Sequence, residues 1–208
     1  MNNDLKKQWA NFVEPAHVDW TWRVLETLYG EPHRAYHNLT HIDACMDLLA
    51  EARRDGACEG TPVVELALFW HDAVYVPGDK RNEELSAGLL RSLVLVPWAV
   101  HSGHWDAACD AILATKNHET VASNEIARLT IDIDLAILGS ESATYRKYVR
   151  DIRQEYATVS DEAWKVGRSG FLAKMLERAR LFQTDWAHER FDSFARINMR
   201  QELETFAR

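Results

Sequence analysis

Several features that define common protein classes are missing or scarce in this chain of 208 residues. Its three cysteines form no CxxC pair, so the sequence predicts neither a disulfide framework nor a zinc knuckle. No apolar run approaches the roughly 18 residues of a transmembrane helix, so we expect no membrane partner. The first residues lack the apolar core of a signal peptide, which favours a cytoplasmic location.

Basic residues are outnumbered as well. The chain has 32 acidic and 24 basic side chains, a formal net charge of −8, and it contains no basic run. An acidic protein repels the phosphate backbone, so no nucleic acid polymer is expected as a partner. The GxSxG, P-loop and GxGxxG motifs are also absent, which removes the common serine-hydrolase and nucleotide-loop chemistries.

What the sequence does contain is helical patterning along almost its whole length. Apolar residues recur at spacings of three and four, the period of an amphipathic helix. Gly30 predicts the end of an early helix, and Asn38 is placed to cap the next one. Ser140 and Ser160 are the predicted caps of two later helices. The one β-like stretch, LVLVPWAV, is interrupted by a proline.

These patterns predict an all-α protein. No glycine- or serine-rich linker, low-complexity tract or internal repeat divides the chain. We therefore expect a single domain over residues 1–208, with a core at about 33–140 and a helical extension at about 141–208 packed on it.

The stretch YHNLTHI places His37 and His41 four residues apart, so the two rings would share one face of a helix. Such a pair can equally consist of two surface or capping histidines. A second signal is the doublet His71-Asp72 at the end of a very apolar helix. A charged aspartate there is costly unless it is paired or binds a cation, although a helix-terminal polar pair is an ordinary alternative.

A third signal is Asp132 and Asp134 in the apolar stretch LTIDIDLAILG, which has no basic residue between them. Two unpaired carboxylates in a dry helix repel or become protonated, and a cation removes that conflict. The alternative is one exposed aspartate and one that caps a neighbouring helix.

In this order, and with the flanks FWHDAVY, NEELSA, TKNHE and DIDLAILG, these pieces resemble the HD-domain superfamily of metal-dependent phosphohydrolases. The resemblance runs from about residue 33 to the C-terminus and implies an HD-domain-like helical bundle with a C-terminal helical extension. It implies a divalent metal ion (Mn, Mg, Fe, Co, Ni or Zn) bound by His41, His71, Asp72 and either Asp132 or Asp134. Asp134 is preferred, because the Leu-Ala that follows resembles the family's continuation.

The resemblance also implies catalytic roles. HNLTH resembles the HNxxH element of cyclic-nucleotide phosphodiesterases, in which the first histidine protonates the leaving oxygen, and His37 occupies that position. Asp72 is counted among the catalytic residues as well as the ligands. Some HD nucleotidases carry an acid three residues after the doublet, where this chain has Tyr75, and Glu83 is a candidate replacement.

Four further residues are candidates for a second metal site or for binding phosphate. His118 and Asp132 are candidates for a second metal or a phosphate contact. Arg153 and Arg168 are candidates to bind the substrate phosphate through planar paired donors, although ion pairs between helices are an alternative for both.

The implied function is hydrolysis of a small phosphoester, for which a nucleotide is one candidate, by metal-activated water. Two alternatives remain open. One is an HD-fold di-iron oxygenase, for which the histidine set between the doublet and the last aspartate looks short. The other is a non-catalytic helical module that binds metal or nucleotide.

Overall fold

A computed structural model describes residues 2–58, 62–93, 103–118 and 124–206. Throughout these ranges the regular structure is helical and contains no β-strand, which confirms the expected all-α fold. Short 3-10 helices occur at Pro15–His17 and Ala136–Gly139. The α-helices are α1 (Asn2–Trp9), α2 (Val18–Tyr29), α3 (Leu39–Arg54), α4 (Pro62–Trp70), α5 (Asn82–Ser92), α6 (Gly103–Thr115), α7 (Glu125–Leu135), α8 (Ser142–Glu155), α9 (Asp161–Glu177) and α10 (Asp185–Phe206).

Three of the four predicted helix boundaries are confirmed. Gly30 follows the last residue of α2, the Asn38 side chain accepts from the amide of Thr40 at the start of α3, and Ser160 caps α9. The predicted cap at Ser140 is wrong, because α8 begins at Ser142. The carbonyl of Ser140 instead accepts a hydrogen bond from the side-chain amide of Asn198. Ser140 itself has an extended backbone conformation before the helix. Apart from its first residue, the stretch LVLVPWAV lies outside the described ranges.

A first apolar cluster is built mainly by α1 to α7. At its centre lies α4, which is buried on nearly all sides: seven of its nine residues are apolar and almost completely buried. Trp9 from α1 packs its ring against Phe69 and Trp70, with ring centroids 5.4 Å and 5.9 Å apart. Burial of such large rings makes this cluster the main apolar core of the chain.

A second apolar cluster joins the end of α7 to α8, α9 and α10. Here α10 packs along the 3-10 helix Ala136–Gly139. A Cβ on Gly139 would lie 2.6 Å from Phe191, so only glycine permits this close approach. In α7, Ile133 belongs to the first cluster and Ile131 to the second. Asp134 therefore lies at the junction of the two clusters.

None of the helices in the described ranges is long and apolar enough to cross a membrane. The longest is α10, with 22 residues, and it carries charged side chains along its length.

Candidate metal centre

Two neighbouring chain segments bring the histidines together. His41 lies in the first turn of α3, and His71 and Asp72 follow directly after α4 ends at Trp70. The buried Arg34 connects these segments: its guanidinium donates to the carbonyls of His37 at 3.0 Å, Asp72 at 2.7 Å and Ala73 at 3.0 Å. The turn after α4 is thus fixed against the approach to α3. Nothing in the local sequence pattern indicated this role of Arg34.

Four side chains converge on one point. The Nε2 atoms of His41 and His71 are 3.1 Å apart, and an Asp134 oxygen lies 3.4 Å and 3.5 Å from them. An Asp72 oxygen lies 3.1 Å from Nε2 of His71 and 3.8 Å from Nε2 of His41. One donor atom from each residue lies within 4.8 Å of all the others, so this group could hold a metal ion.

The donor set fits a divalent cation in both chemistry and spacing. Nδ1 of His71 lies 2.9 Å from the carbonyl of Leu68 and donates its proton there, so Nε2 is the ring nitrogen directed at the cluster and available to a metal ion once its own proton is lost. Two atoms each about 2.1 Å from a common ion are separated by roughly 3.0–3.4 Å at ordinary coordination angles. Two imidazoles and two carboxylates suit an ion of intermediate hardness.

The electrostatics of the cluster also favour a cation. Burial raises the pKa of Asp72, but the charges of His71 and His37 outweigh it and hold that pKa below its usual range. Burial likewise opposes ionisation of Asp134, but hydrogen bonds from His118, His41 and His71 hold its pKa well below the usual value. Both carboxylates are therefore anionic at neutral pH, and neighbouring imidazole protons balance them. A bound cation can take the place of those protons.

The two candidate aspartates of α7 lie in different surroundings. Asp134 faces the cluster, whereas Asp132 is fully buried and accepts from the amide of Gln183 at 2.7 Å and from the amide and hydroxyl of Thr184 at 2.6 Å and 2.7 Å. Burial raises the pKa of Asp132 despite these bonds. Its oxygens hold the segment that leads into α10, so Asp132 stands away from the donors of the cluster.

His37 lies beside the cluster and is held by a residue from α8. Its Nδ1 is 2.6 Å from Oε2 of Glu155, which also accepts a hydrogen bond from the hydroxyl of Tyr75. The other oxygen, Oε1, accepts hydrogen bonds from the backbone amides of Tyr36 and His37. Burial lowers the pKa of His37, but Asp72 and the hydrogen bond to Glu155 raise it above the usual value overall. The hydroxyl of Tyr75 therefore supports Glu155.

Glu155 was missed by the sequence reasoning, although a signal for it exists. Tyr145, Tyr148 and Ile152 form the buried stripe of α8, and Glu155 continues that stripe at the same helical spacing. An acidic residue on an apolar stripe needs a buried partner. Here the partner is His37, which lies 118 residues away in sequence.

His118 and Glu83 lie at the edge of the site. Nε2 of His118 is 3.1 Å from the second oxygen of Asp134. Its backbone has a φ of 49°, a left-handed conformation that costs a non-glycine residue energy and recurs at functional sites. Glu83 is half-buried in the first turn of α5, and burial raises the pKa of its carboxyl.

The two candidate phosphate-binding arginines are engaged in ion pairs. Arg168 is buried and donates to Glu202 through Nε at 2.8 Å and Nη2 at 3.1 Å. Arg153 donates to Asp161 at 2.6 Å and to the carbonyls of Tyr156 and Val159. Both guanidinium groups thus serve the packing of the C-terminal helices, the alternative that the sequence had left open.

A cavity of about 720 Å³ opens beside the donors. Asp72, Asp134, His37, His118 and Glu83 all line it, whereas Asp132 and Arg153 do not. Its volume lies within the range of about 300–1,000 Å³ found for small-molecule sites. Two of the four donors, Asp72 and Asp134, are therefore accessible from a space that can hold a substrate, whereas His41 and His71 are buried behind them.

Comparison with known proteins adds no family to this geometry: a scan against protein families, a search of curated proteins and a search of solved structures each found no match. The site itself consists of four converging donors, His37 beside them, and a cavity that His37, Asp72 and Asp134 line.

Proposed function

We propose that this chain is a metal-dependent phosphohydrolase of the HD superfamily that acts on a small phosphoester. The observation that carries the proposal is the convergence of His41, His71, Asp72 and Asp134 beside a cavity of about 720 Å³, which the two aspartates line. The divalent ion that they would hold supplies an activated water and charge compensation for a phosphoryl group. The order of these residues in the sequence, as in the HD superfamily, supports the same proposal.

His37 is the proposed general acid. Because Nδ1 donates to the ionised Glu155, Nε2 is the ring nitrogen left for a substrate oxygen in the cavity that His37 lines. The raised pKa of His37 keeps a larger share of the ring protonated near neutrality than in free solution. A proton held at Nε2 can pass to the leaving oxygen as the phosphoester bond breaks.

Two lysines attract the anionic end of the substrate. Lys80 and Lys116 both line the cavity on the side of the metal centre formed by α5 and α6. Lys116 forms an ion pair with Glu84, whereas Lys80 is exposed. In a chain of net charge −8 these side chains provide local positive charge next to the carboxylates.

The proposal is tested with a panel of phosphorylated metabolites and phosphate detection, using protein supplied in turn with manganese, magnesium, cobalt, nickel, zinc and iron(II). We expect phosphate release that Asp134→Asn abolishes. His17→Ala, which changes a histidine in the Pro15–His17 helix that does not line the cavity, is the control and should match the parent. No phosphate release with any metal would contradict the proposal.

The two alternatives predict different results in the same preparations. A di-iron oxygenase binds iron and consumes oxygen in the presence of its substrate. A non-catalytic module binds metal tightly, turns nothing over, and loses much of its stability when the metal is chelated. Within the described part of the chain, the contact of His118 with Asp134 favours a further metal position.

A further inference from the structure

The cavity beside the donors has two chemically different halves. One half carries the ionisable groups of the metal centre, together with Lys80 and Lys116. The other half is apolar and is formed by the 3-10 helix after α7, by α8 and α9, and by the turn between them. Its main side chains are Leu138, Tyr148, Ile152, Tyr156, Trp164 and Phe171.

Aromatic rings give this second half its shape. We call this apolar half of the cavity the aromatic wall. The centroid of the Tyr36 ring lies 4.9 Å from that of His41 and 4.8 Å from that of Tyr148, so the wall begins directly at the metal centre. Farther along, the rings of Tyr156 and Trp164 pack with their centroids 5.4 Å apart. Aromatic faces such as these bind planar apolar groups by stacking and by burial of apolar surface.

The wall has no free charge to offer a ligand. Arg168 is the charged side chain that α8 and α9 contribute to the lining, and Glu202 neutralises it through two hydrogen bonds. Its guanidinium also donates to the hydroxyl of Tyr148 and lies 5.2 Å from the centre of the Phe171 ring. The cation therefore orients two aromatic rings of the wall. The wall therefore offers a ligand mainly ring faces, with the phenol and indole groups of its tyrosines and tryptophan as its polar atoms.

We infer that the substrate is a phosphoester that carries a bulky aromatic group, with the phosphoryl group at the metal centre and the aromatic group against the wall formed by α8 and α9. This inference rests on the proposed function and names its substrate class. The wall belongs to the C-terminal helices, so these helices determine which phosphoesters bind. A small hydrophilic phosphoester would leave the wall in contact with water.

Two glycines of α9 provide a matched test. An added Cβ meets no atom within 4 Å at either Gly167 or Gly170, so the backbone surroundings do not exclude a side chain at either position. Gly167 lines the cavity and Gly170 does not. Leucine at either position favours the helix over glycine by about 0.8 kcal/mol, so both variants should fold. Only Gly167→Leu fills the proposed aromatic compartment.

The experiment measures binding of two phosphonates, which cannot be hydrolysed, by calorimetry in buffer containing manganese. The probes are 1-naphthylphosphonate and methylphosphonate, and they share one headgroup. The ratio of their dissociation constants therefore cancels what the metal centre contributes. We expect the parent to bind the naphthyl compound at least tenfold more tightly. Gly167→Leu should reduce that preference about tenfold, whereas Gly170→Leu should retain it.

Equal affinity of the parent for both probes, or no binding of 1-naphthylphosphonate, would overturn the inference without the need for any variant. An unchanged preference in Gly167→Leu would overturn it as well. Failure of the proposed function looks different: the naphthyl preference and its loss in Gly167→Leu are observed, but no phosphoester is hydrolysed. That result supports the aromatic compartment and rejects hydrolysis.

Discussion

The two apolar clusters of this protein hold their functional side chains in different ways. In the first, helix ends and turns place three of the donors: His41 lies in the first turn of α3, and His71 and Asp72 follow directly after α4. In the second, buried ionic contacts do this work, because Glu155 orients His37 and Glu202 pairs with Arg168. Backbone turns of the first cluster therefore build most of the metal centre. Long-range side-chain contacts of the second cluster determine which ligands the cavity accepts.

The largest expected effect is complete loss of metal when a donor of the first cluster is removed. His41→Ala and His71→Ala each delete one of the two imidazole ligands, so the remaining groups bind a divalent ion far more weakly. Elemental analysis after gel filtration measures the metal content, with His17→Ala as the matched histidine control. Parental metal content in a folded His71→Ala would show that the cluster is not the metal site.

The next largest expected effect is a loss of turnover without a loss of metal, caused by replacing His37, which the second cluster holds in place. His37→Gln removes the proposed proton donor but none of the four metal ligands. Turnover of a phosphoester with a poor leaving group should therefore fall by about 10²–10⁴-fold, while the metal content stays parental. A substrate whose leaving group needs no proton should lose much less. Near-parental turnover on the poor leaving group would assign His37 a packing role only.

A stability measurement tests the ionic construction of the second cluster. Arg168→Met leaves Glu202 buried without its partner, and we expect the free energy of unfolding to fall by about 3–5 kcal/mol. Arg168→Met combined with Glu202→Met removes both charges and should recover part of that loss. Denaturant unfolding provides the values. A single variant as stable as the parent would show that this pair does not hold the C-terminal helices together.

The two aspartates of α7 allow a metal ligand and a structural carboxylate to be compared within one helix. Asp134→Asn should lose the metal. Asp132→Asn should keep it but unfold more easily by about 1–3 kcal/mol, because an amide nitrogen would face the donors from Gln183 and Thr184. Metal analysis and thermal unfolding of the pair decide the assignment. Loss of metal from Asp132→Asn alone would reverse it.

The smallest expected effect is on how the stability of the chelator-treated protein depends on pH. Burial raises the pKa of Glu155, but the hydrogen bond and charge of His37 lower it below its usual value of 4.5 overall. The contribution of this carboxylate to stability is therefore present above about pH 4.5 and is lost as the pH falls through its lower value in the folded protein. Glu155→Gln should show a shallower acid loss of stability. Identical acid profiles would contradict this role.

The sequence predicted the helical class and most helix boundaries, because these depend on local cues, whereas the grouping of the four donors followed from the resemblance to the HD-domain superfamily and not from spacing. Periodicity, capping side chains and charged residues in apolar surroundings are all visible within a few neighbouring positions. The partners of Glu155, Arg168 and Asp132 could not be predicted, since each contact joins residues separated by more than 30 positions. Sequence spacing does not state which distant groups meet in the fold. Ser140 shows the same limit, because the distant Asn198 holds its carbonyl and α8 begins later than its sequence indicated.

The most direct test of the central claim is an anomalous difference map from crystals soaked in cobalt(II). We expect one strong peak bonded at about 2.0–2.2 Å to Nε2 of His41, Nε2 of His71 and an oxygen of Asp134, with Asp72 completing the protein ligands. Strong cobalt peaks elsewhere together with none among these four side chains would contradict the account.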